Sequence, residues 1–495
     1  ILYGLVNERT DAWCERVFAP DNDMEEQLRK NNVPLFALES GDYIKDFDMI
    51  GFTLQYELCY TNVLNMLNLA QIPLKSEDRT DLTPIICVGG PCCCNPEPIT
   101  DFVDIVFLGE GEYSTNEVID LLKECKMNGS TKQDFLQKVK DITGVYVPSL
   151  YRDSYNDDGT LKALEPVCDA PAVIKKSIVS DMDKVYYPKE FVVPYINIVH
   201  DRAVEEIFRG CIRGCRFCQA GQLYRPVRER DVEMLKDYAV KMLDNTGYDE
   251  ISLSSLSSSD YTYLEELINF LIAQCKEKKV NISLPSLRID AFSLDVMGKV
   301  QDVKKSSLTF APEAGSQRLR NVINKGLTEE DILNGSAEAF RGGWNRVKLY
   351  FMLGLPTETP EDMQGIAELS EKVAEEYYNI PKEERSGKVQ VTASTSFFVP
   401  KPFTPFQWAR MCTKEEFLER AHIVNSRMKE MLNRKSLRYN WHEADLTVLE
   451  GVLARGDRKV AAVIEEAYKN GALYDSWSEH FHNEIWMQAF ETCGV

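Results

Sequence analysis

The sequence predicts an α/β protein: an N-terminal doubly wound domain of Rossmann or flavodoxin-like type, a partial (β/α)6 TIM barrel, and a small C-terminal helical region. Three observations predict it. Apolar strand-like runs alternate with amphipathic helical ones up to about Lys140, and again from about 195. Such alternation, with strands apolar throughout, marks parallel sheets covered by helices. Between the blocks lies the polar stretch "YRDSYNDDGTLKALEPVCDAPAV" (151–173), which has hairpin and linker chemistry. The chain has 495 residues and is 44% hydrophobic, enough to fill the cores of several domains.

Taken in order, "ILYGLVNERTDAW" (1–13) reads like the tail of a helix, which implies a strand upstream of Ile1. "CERVFAP" (14–20) and "VPLFALE" (33–39) are expected strands. "DMIGFTLQY" (48–56) is a buried strand, followed by the amphipathic helix "ELCYTNVLNMLNLAQI" (57–72). "PIICVGGP" (84–91) and "DIVFLGEGE" (104–112) are further strands, the latter followed by the helix "YSTNEVIDLLKECK" (113–126). In such sheets ligands sit at the carboxyl ends of strands. Those ends read "LQYE", "GGPCCCNPEP" and "GEGE", and their glycines allow close backbone approach.

In the second block the expected strands are "AVEEIFRG" (203–210), "EISLSSL" (250–256), "NISLPSLRI" (281–289), "SSLTFAPE" (306–313), "RVKLYFML" (346–353) and "VQVTASTSFFV" (389–399). Helical segments such as "EEDILNGSAEAFRGG" (329–343) separate them. Six such units predict a parallel barrel or part of one, with its site in the carboxyl-end loops. The tail, "LRYNWHEADLTVLEGVLARGDRKVAAVIEEAYKNG" (437–471), reads as charged helix. The expected boundaries are 1–140, 141–194 (linker and hairpin), 195–430 and 431–495.

A net charge of −21 argues against a broad nucleic-acid surface, and the basic run "YRPVRERD" (224–231) is read as a solvated face. No run of eighteen apolar residues or signal-like start is present, so a membrane partner is not expected. Fourteen cysteines in a long chain, clustered in two places, suit a reducing cytoplasm with metal or redox use better than a disulfide scaffold.

One cluster is "RGCIRGCRFCQAG" (209–221), with Cys211, Cys215 and Cys218 spaced C-x-x-x-C-x-x-C directly after the first strand of the second block. Three thiolates on one tight loop suit three irons of a cubane cluster and leave the fourth iron open. Gly210, Gly214 and Gly221 let the loop wrap closely, and Phe217 shields one side. Zinc needs a fourth ligand; of five histidines the nearest is His200, and the others lie beyond 420.

This spacing, with an aromatic before the third cysteine and a six-unit barrel behind it, resembles the radical S-adenosylmethionine (SAM) superfamily. The resemblance implies a 4Fe–4S cluster on Cys211, Cys215 and Cys218. SAM chelates the open iron through its amino and carboxylate groups. One-electron reduction, from an external donor of flavodoxin or ferredoxin type, then cleaves it to methionine and a 5′-deoxyadenosyl radical. It further implies SAM contacts from Phe217, from Ser254 and Ser255 in "SLSSLSSSD" (252–260), and from Arg288 in "SLPSLRID" (283–290). Glu313 in "FAPEAGSQRLR" (310–320) and Leu355 in "YFMLGLPTETPED" (350–362) complete the set. "SFFVPKPFTPFQW" (396–408) resembles the sixth-strand segment of the methylthiotransferase-like branch.

A doubly wound domain in front of such a core resembles the cobalamin-binding branch. "GFTLQYELCYTNVLNMLNLAQIPL", "GGPCCCNPEP", "FLGEGE", "TFAPEAGSQRLRNVINKGLTEED" and "ARGDRKV" resemble a bacterial family of cobalamin-binding radical SAM proteins of unassigned function. Cobalamin is then expected over the carboxyl edge of the first sheet, near Thr53, Leu54, Gln55, Tyr56, Gly89, Gly90, Pro91, Gly109, Glu110 and Gly111. No histidine precedes His200, so the resemblance implies cobalt without a histidine ligand, with Gln55 or Tyr56 near its lower face. Cys92, Cys93 and Cys94 splay too widely to share one ion and are read as packing. Glu110 and Glu112 fit a helix start. His480 and His482, two apart, do not share a helix face and are read as surface or interdomain groups. The reaction these readings imply is methylation of an unactivated carbon. A radical rearrangement or RNA modification without methyl transfer is a second reading, and a non-enzymatic iron–sulfur carrier a third.

Overall fold

Ile85–Val88 is apolar at every position and almost wholly out of solvent, the pattern of a strand covered on both faces. The computed structural model describes residues 1–188, 190–196, 198–284 and 308–495. They fall into two units: Ile1–Ser180 with Val185–Pro188 and Leu449–Val495, and Asp181–Lys184 with Lys189–Val448.

In the first unit, β1 (Met49–Thr53), β2 (Ile85–Gly89) and β3 (Ile105–Phe107) pair in parallel in that order, and β4 (Val145–Tyr146) runs antiparallel to β3. Thr53 lies opposite Gly89, so β1 and β2 end level with one another. The helices Tyr60–Leu69 and Gly111–Met127 follow β1 and β3, as the periodicity predicts. β5 (Tyr151–Tyr155) and β6 (Leu161–Pro166) form the expected hairpin. The expected strands at 14–20 and 33–39 are absent; only the bridge between Phe36 and Tyr43 forms there. These segments are tied by side chains instead: Arg16 pairs with Glu39 at 2.7 Å, and Glu15 accepts from the Ser40 backbone at 2.9 Å.

In the second unit, β7 (Ala203–Glu206) leads into β8 (Phe208–Arg209), which pairs antiparallel with β9 (Arg228–Glu229). β7 is flanked by β10 (Glu250–Ser254) and then β11 (Asn281–Ser283), all parallel. β12 (Leu308–Glu313), β13 (Arg346–Leu353), β14 (Gln390–Phe397) and β15 (Leu437–Trp441) form a second parallel sheet in sequence order. Helices Glu329–Arg341, Pro360–Tyr378 and Lys414–Glu430 pack along it, and their residues share its core. Capping boxes at Thr328/Asp331 and Thr413/Glu416 start two of them.

Residues 431–495, expected as one helical region, divide. Leu437–Trp441 is a strand, with Leu437 in the core and Tyr439 and Trp441 packed against it. From Leu449 the chain clusters with the first unit, where the helix Lys459–Lys469 packs on Tyr60–Leu69. No described helix is long and apolar enough to cross a membrane.

Candidate active site

The cysteine loop leaves the carboxyl end of β7. Ile207 N–H donates to Ser254 O at 3.1 Å and holds that end to β10. Gly210 has φ +92, and a Cβ there would stand 2.8 Å from the carbonyl oxygens of Tyr224 and Pro226, so only glycine fits the turn.

Separate elements then pin the loop. Asn324 Nδ2 donates to Gly214 O at 2.8 Å, and Arg216 N–H to Ile323 O at 2.9 Å. From the segment after β14, Phe406 N–H donates to Arg216 O at 3.3 Å and Pro402 O accepts from Gln219 Nε2 at 3.2 Å. Cys218 N–H closes on Cys215 O at 3.3 Å, and Gly221 N–H donates to the Cys218 sulfur at 3.4 Å.

Cys211, Cys215 and Cys218 are half-buried and form no disulfide. Burial pushes the Cys218 thiol up; the Gly221 N–H and the Lys325 ammonium act against that, while Cys211 and Glu313 add to it. These four groups therefore lie within electrostatic reach of Cys218.

The donor set can be tested against a metal group. A tetrahedral zinc with Zn–S bonds of about 2.3 Å draws its sulfurs to within about 4 Å of one another. Among the described residues, no group of three or more His, Cys, Asp or Glu side chains is placed to hold a single ion. His200 lies with Nδ1 against the Arg202 guanidinium at 3.0 Å. A cubane binds each thiolate to a different iron. Three thiols on one pinned loop, without a histidine, fit that group.

Phe217 packs against a buried cluster of Ala314, Leu319, Ile323, Leu355 and Phe398, so two predicted SAM contacts, Phe217 and Leu355, meet in one apolar wall. Glu313 ends β12 with φ +67, at a register shift in its pairing, and bonds Lys325 at 3.1 Å. Ser254 ends β10 level with Glu206, while the Ser255 hydroxyl lies 3.0 Å from that of Ser258. Arg288 lies outside the described residues.

At the edge of the first sheet, Thr53, Gln55 and Gly109 are exposed. Leu54 is not a surface residue: it is 1% exposed, and its N–H donates to Gly89 O at 2.7 Å. The Gly90 conformation (φ +108) serves this same packing, since a Cβ would stand 2.6 Å from Leu54 O. Pro91 opens the short turn that carries Cys92–Cys94, and Gly111 opens the helix Gly111–Met127. Gly109 and Glu110 meet protein: Ser177 bridges Gly109, and the Glu110 carboxylate accepts from Val179 N–H. The Tyr56 hydroxyl donates to Glu450 at 3.0 Å, and burial with that carboxylate pushes its pKa upward. Tyr56 is therefore held by the protein's own carboxylate, while Gln55, the other residue expected there, is exposed.

Sequence reasoning missed Lys325, Glu450 and Glu358. Glu358 has a 2% exposed side chain, accepts from Gly354 N–H at 2.8 Å and pairs with Arg420 at 3.2 Å. Lys325 lies inside the quoted run "TFAPEAGSQRLRNVINKGLTEED", the one signal that pointed near it.

The fold is α/β, with a loop of three cysteines following the first strand of the second unit. Residues 1–148 match the family model for the N-terminal region of radical SAM proteins, and 206–370 match that for the radical SAM superfamily. The uncharacterized protein MJ0966 of Methanocaldococcus jannaschii is 30% identical over 470 residues, covering 95% of this chain and 91% of its own. The putative methylthiotransferase MJ0865 of the same organism is 26% identical over 283 residues, half of this chain and 61% of that one. The chain belongs to the radical SAM superfamily and is a radical SAM enzyme. Its fold is similar to that of the radical SAM methyltransferase TsrM from Kitasatospora setae, with TM-score 0.51 and 12% identity over 82% of this chain and 71% of that one. It is also similar to the cobalamin-dependent radical enzyme OxsB, with TM-score 0.52 and 13% identity over 94% of this chain and 63% of that one.

Proposed function

We propose that the protein is a cobalamin-dependent radical SAM methyltransferase acting on an unactivated carbon. The reading rests on the pinned cysteine loop, together with a fold likeness to TsrM and OxsB that extends over most of the chain. In this reading the first unit's sheet is a Rossmann-like cobalamin domain, and β7, β10, β11 and β12–β14 are the strands of a partial barrel.

Cys211, Cys215 and Cys218 would hold a 4Fe–4S cluster, which supplies the electron for reductive cleavage of SAM. Metal binding requires the thiolates, and Lys325 favours that form at Cys218 against its burial. Phe217, Leu355 and Phe398 exclude water beside the loop. Ser254, Glu313 and, by expectation, Arg288 offer polar contacts to SAM. Thr53, Gln55 and Gly109 offer an exposed edge to cobalamin, whose role is to carry the methyl group.

Anaerobically reconstituted protein with SAM and dithionite is expected to release 5′-deoxyadenosine, and added cobalamin to give a protein-bound corrinoid spectrum. Cys215→Ala should lose both the iron and the cleavage; iron retained at wild-type content would overturn the ligand assignment. The likeness to MJ0865 and to the tRNA methylthiotransferase MtaB of Aquifex aeolicus (24% identical over 216 residues) favours RNA modification as a second reading. Release of 5′-deoxyadenosine without any corrinoid binding would select it.

A further inference from the structure

The sheet β12–β15 buries one face and leaves the other open. Val347, Leu349, Phe351 and Leu353 of β13 point into the core shared with the helices, as do Val391, Ala393 and Phe397 of β14 and Leu437 of β15. The even-numbered positions of these strands therefore lie on the opposite face. In the barrel reading that face lines the lumen, which a closed barrel fills with layers of Val, Ile and Leu. Here the even positions of β13, β14 and β15 hold no Val, Ile, Leu or Phe. They hold no Asp or Glu either, and three of them are cations, Arg346, Lys348 and Arg438, in a chain of net charge −21.

The strand register sets these groups in rows. Lys348 lies opposite Thr392, and Thr392 opposite Arg438. One row nearer the carboxyl ends, Tyr350 lies opposite Ser394, and Ser394 opposite Asn440. Arg346, Tyr350, Arg438 and Asn440 are exposed, and Lys348 is half-buried. Among the described residues, none of the three cations has a carboxylate partner. Lys348 Nζ stands 4.6 Å from the centre of the Tyr350 ring, and Arg438 donates to the carbonyl oxygens of Lys435 and Leu437. These neutral groups leave both charges uncompensated. In the unit's other parallel sheet, Glu206 and Glu250 are taken up by Arg209 and Arg202. At the carboxyl end of the open face, Met352 packs against the cluster that holds Leu355 and borders Phe217, the apolar wall beside the cysteine loop.

We propose that this face binds the phosphate end of a phosphorylated small-molecule substrate, with Lys348 and Arg438 setting the specificity. Lys348 lies four residues below Met352, about 13 Å at strand rise, so the substrate reaches from these cations to the wall with its reacting carbon at the upper end. The inference rests on the radical SAM reading, which supplies the reaction at that wall. Three features select this occupant. Cations two strands apart, about 10 Å between backbones, with no carboxylate to neutralise them, favour a group of more than one negative charge. Arg438 offers a planar fork and Lys348 a point charge, and both suit phosphate oxygens. Thr392, Ser394 and Asn440 offer hydroxyl and amide groups to a polar body along the way. A polynucleotide needs a groove that tracks several phosphates, whereas four strands span only about 14 Å.

The test titrates pyrophosphate, and separately tricarballylate as a carboxylate of similar charge, into the full chain by calorimetry in chloride buffer. The variants are Lys348→Met, Arg438→Gln and the two together. Lys348→Arg keeps the charge, and Lys372→Met, on the helix Pro360–Tyr378 where Lys372 pairs with Glu329, is the control. The wild type should bind pyrophosphate about tenfold or more tighter than tricarballylate, and the double variant should lose about tenfold or more of that affinity. Lys348→Arg and Lys372→Met should stay within about threefold of wild type, and binding should weaken as salt rises. Saturating SAM should leave the pyrophosphate affinity unchanged, because the cations lie at the other end of the strands. Competition by SAM, unchanged affinity in the double variant, or equal or tighter binding of tricarballylate would each overturn the proposal. So would a double variant that loses affinity for a single-stranded RNA probe while pyrophosphate binding stays intact. Calorimetry needs neither the cluster nor SAM cleavage, so a failure there counts against this face alone. Wild-type protein that releases no 5′-deoxyadenosine with dithionite counts against the parent reading alone.

Discussion

Glu358 is a carboxyl group placed where charge is costly. Burial raises its pKa to about 7 from 4.5, although the Gly354 N–H and the Arg420 guanidinium both oppose the shift. Native protein therefore holds a proton there that the unfolded chain releases above about pH 4.5. The resulting stability is complete below pH 4.5 and is lost as pH rises through about 7, a change of about 3 kcal/mol. Glu358→Gln keeps the shape and removes the ionisation. Thermal melts from pH 4.5 to 8 should show the wild type losing stability that the variant keeps; parallel profiles would refute the assignment. Such a residue was illegible in the sequence because burial, not residue type, sets its behaviour. The three cysteines were legible for the opposite reason: their spacing is itself the chemistry, and Phe217 between the second and third travels with it.

Among elements, the exit of β12 depends on a backbone approach that no side chain permits. A Cβ on Gly315 would stand 2.2 Å from Ile366 N and 2.4 Å from the carbonyl carbon of Gly365, both in the helix Pro360–Tyr378. Ser316 donates to Asp362 of the same helix, so the turn is tied as well as close. Gly315→Ala must push strand exit and helix apart. We expect a loss of about 2–4 kcal/mol in denaturant unfolding, with dithionite-driven SAM cleavage reduced because Glu313 and Lys325 move with the turn. An unchanged midpoint would show that the contact relaxes freely. Long apolar strands such as Arg346–Leu353 were readable from composition alone. Leu437–Trp441 was not, since its half-exposed alternation with Arg438 and Asn440 looks like the charged face of a helix. Segments 14–20 and 33–39 misled because apolar residues there do not make a strand: Leu35 and Ala37 are buried, whereas Phe18 and Leu38 are left 66% and 56% exposed.

For the molecule as a whole, the first unit is discontinuous, and its two ends are joined by motifs whose pairing with each other the sequence reading did not foresee. Arg458 of "ARGDRKV" pairs with Glu97 at 2.7 Å and donates to the Tyr146 hydroxyl at 2.7 Å, Tyr151 O at 2.8 Å and Pro148 O at 3.0 Å. Asn95 of "GGPCCCNPEP" donates to Ala454 O at 3.1 Å and Gly456 O at 3.0 Å. Two stretches some 360 positions apart thus complete each other, and linear reading cannot see such a pairing. The loop after β2 leads from the sheet edge read as the cobalamin site, so the chain's C-terminal segment holds that edge in place. Removing the guanidinium breaks the ion pair to Glu97, which keeps only the Tyr146 hydroxyl as donor, and takes a donor from three further acceptors in a mostly buried setting, a cost of about 2–4 kcal/mol. Arg458→Ala should therefore raise amide hydrogen exchange in β1–β3 and in the helices Tyr60–Leu69 and Lys459–Lys469, and leave β12–β15 as protected as before. Arg458→Lys keeps one ion pair and should restore only part of the protection, because a point charge cannot serve four acceptors. Equal exchange in both units of the Ala variant, or none gained in β1–β3, would show that the clamp does not hold the first unit together.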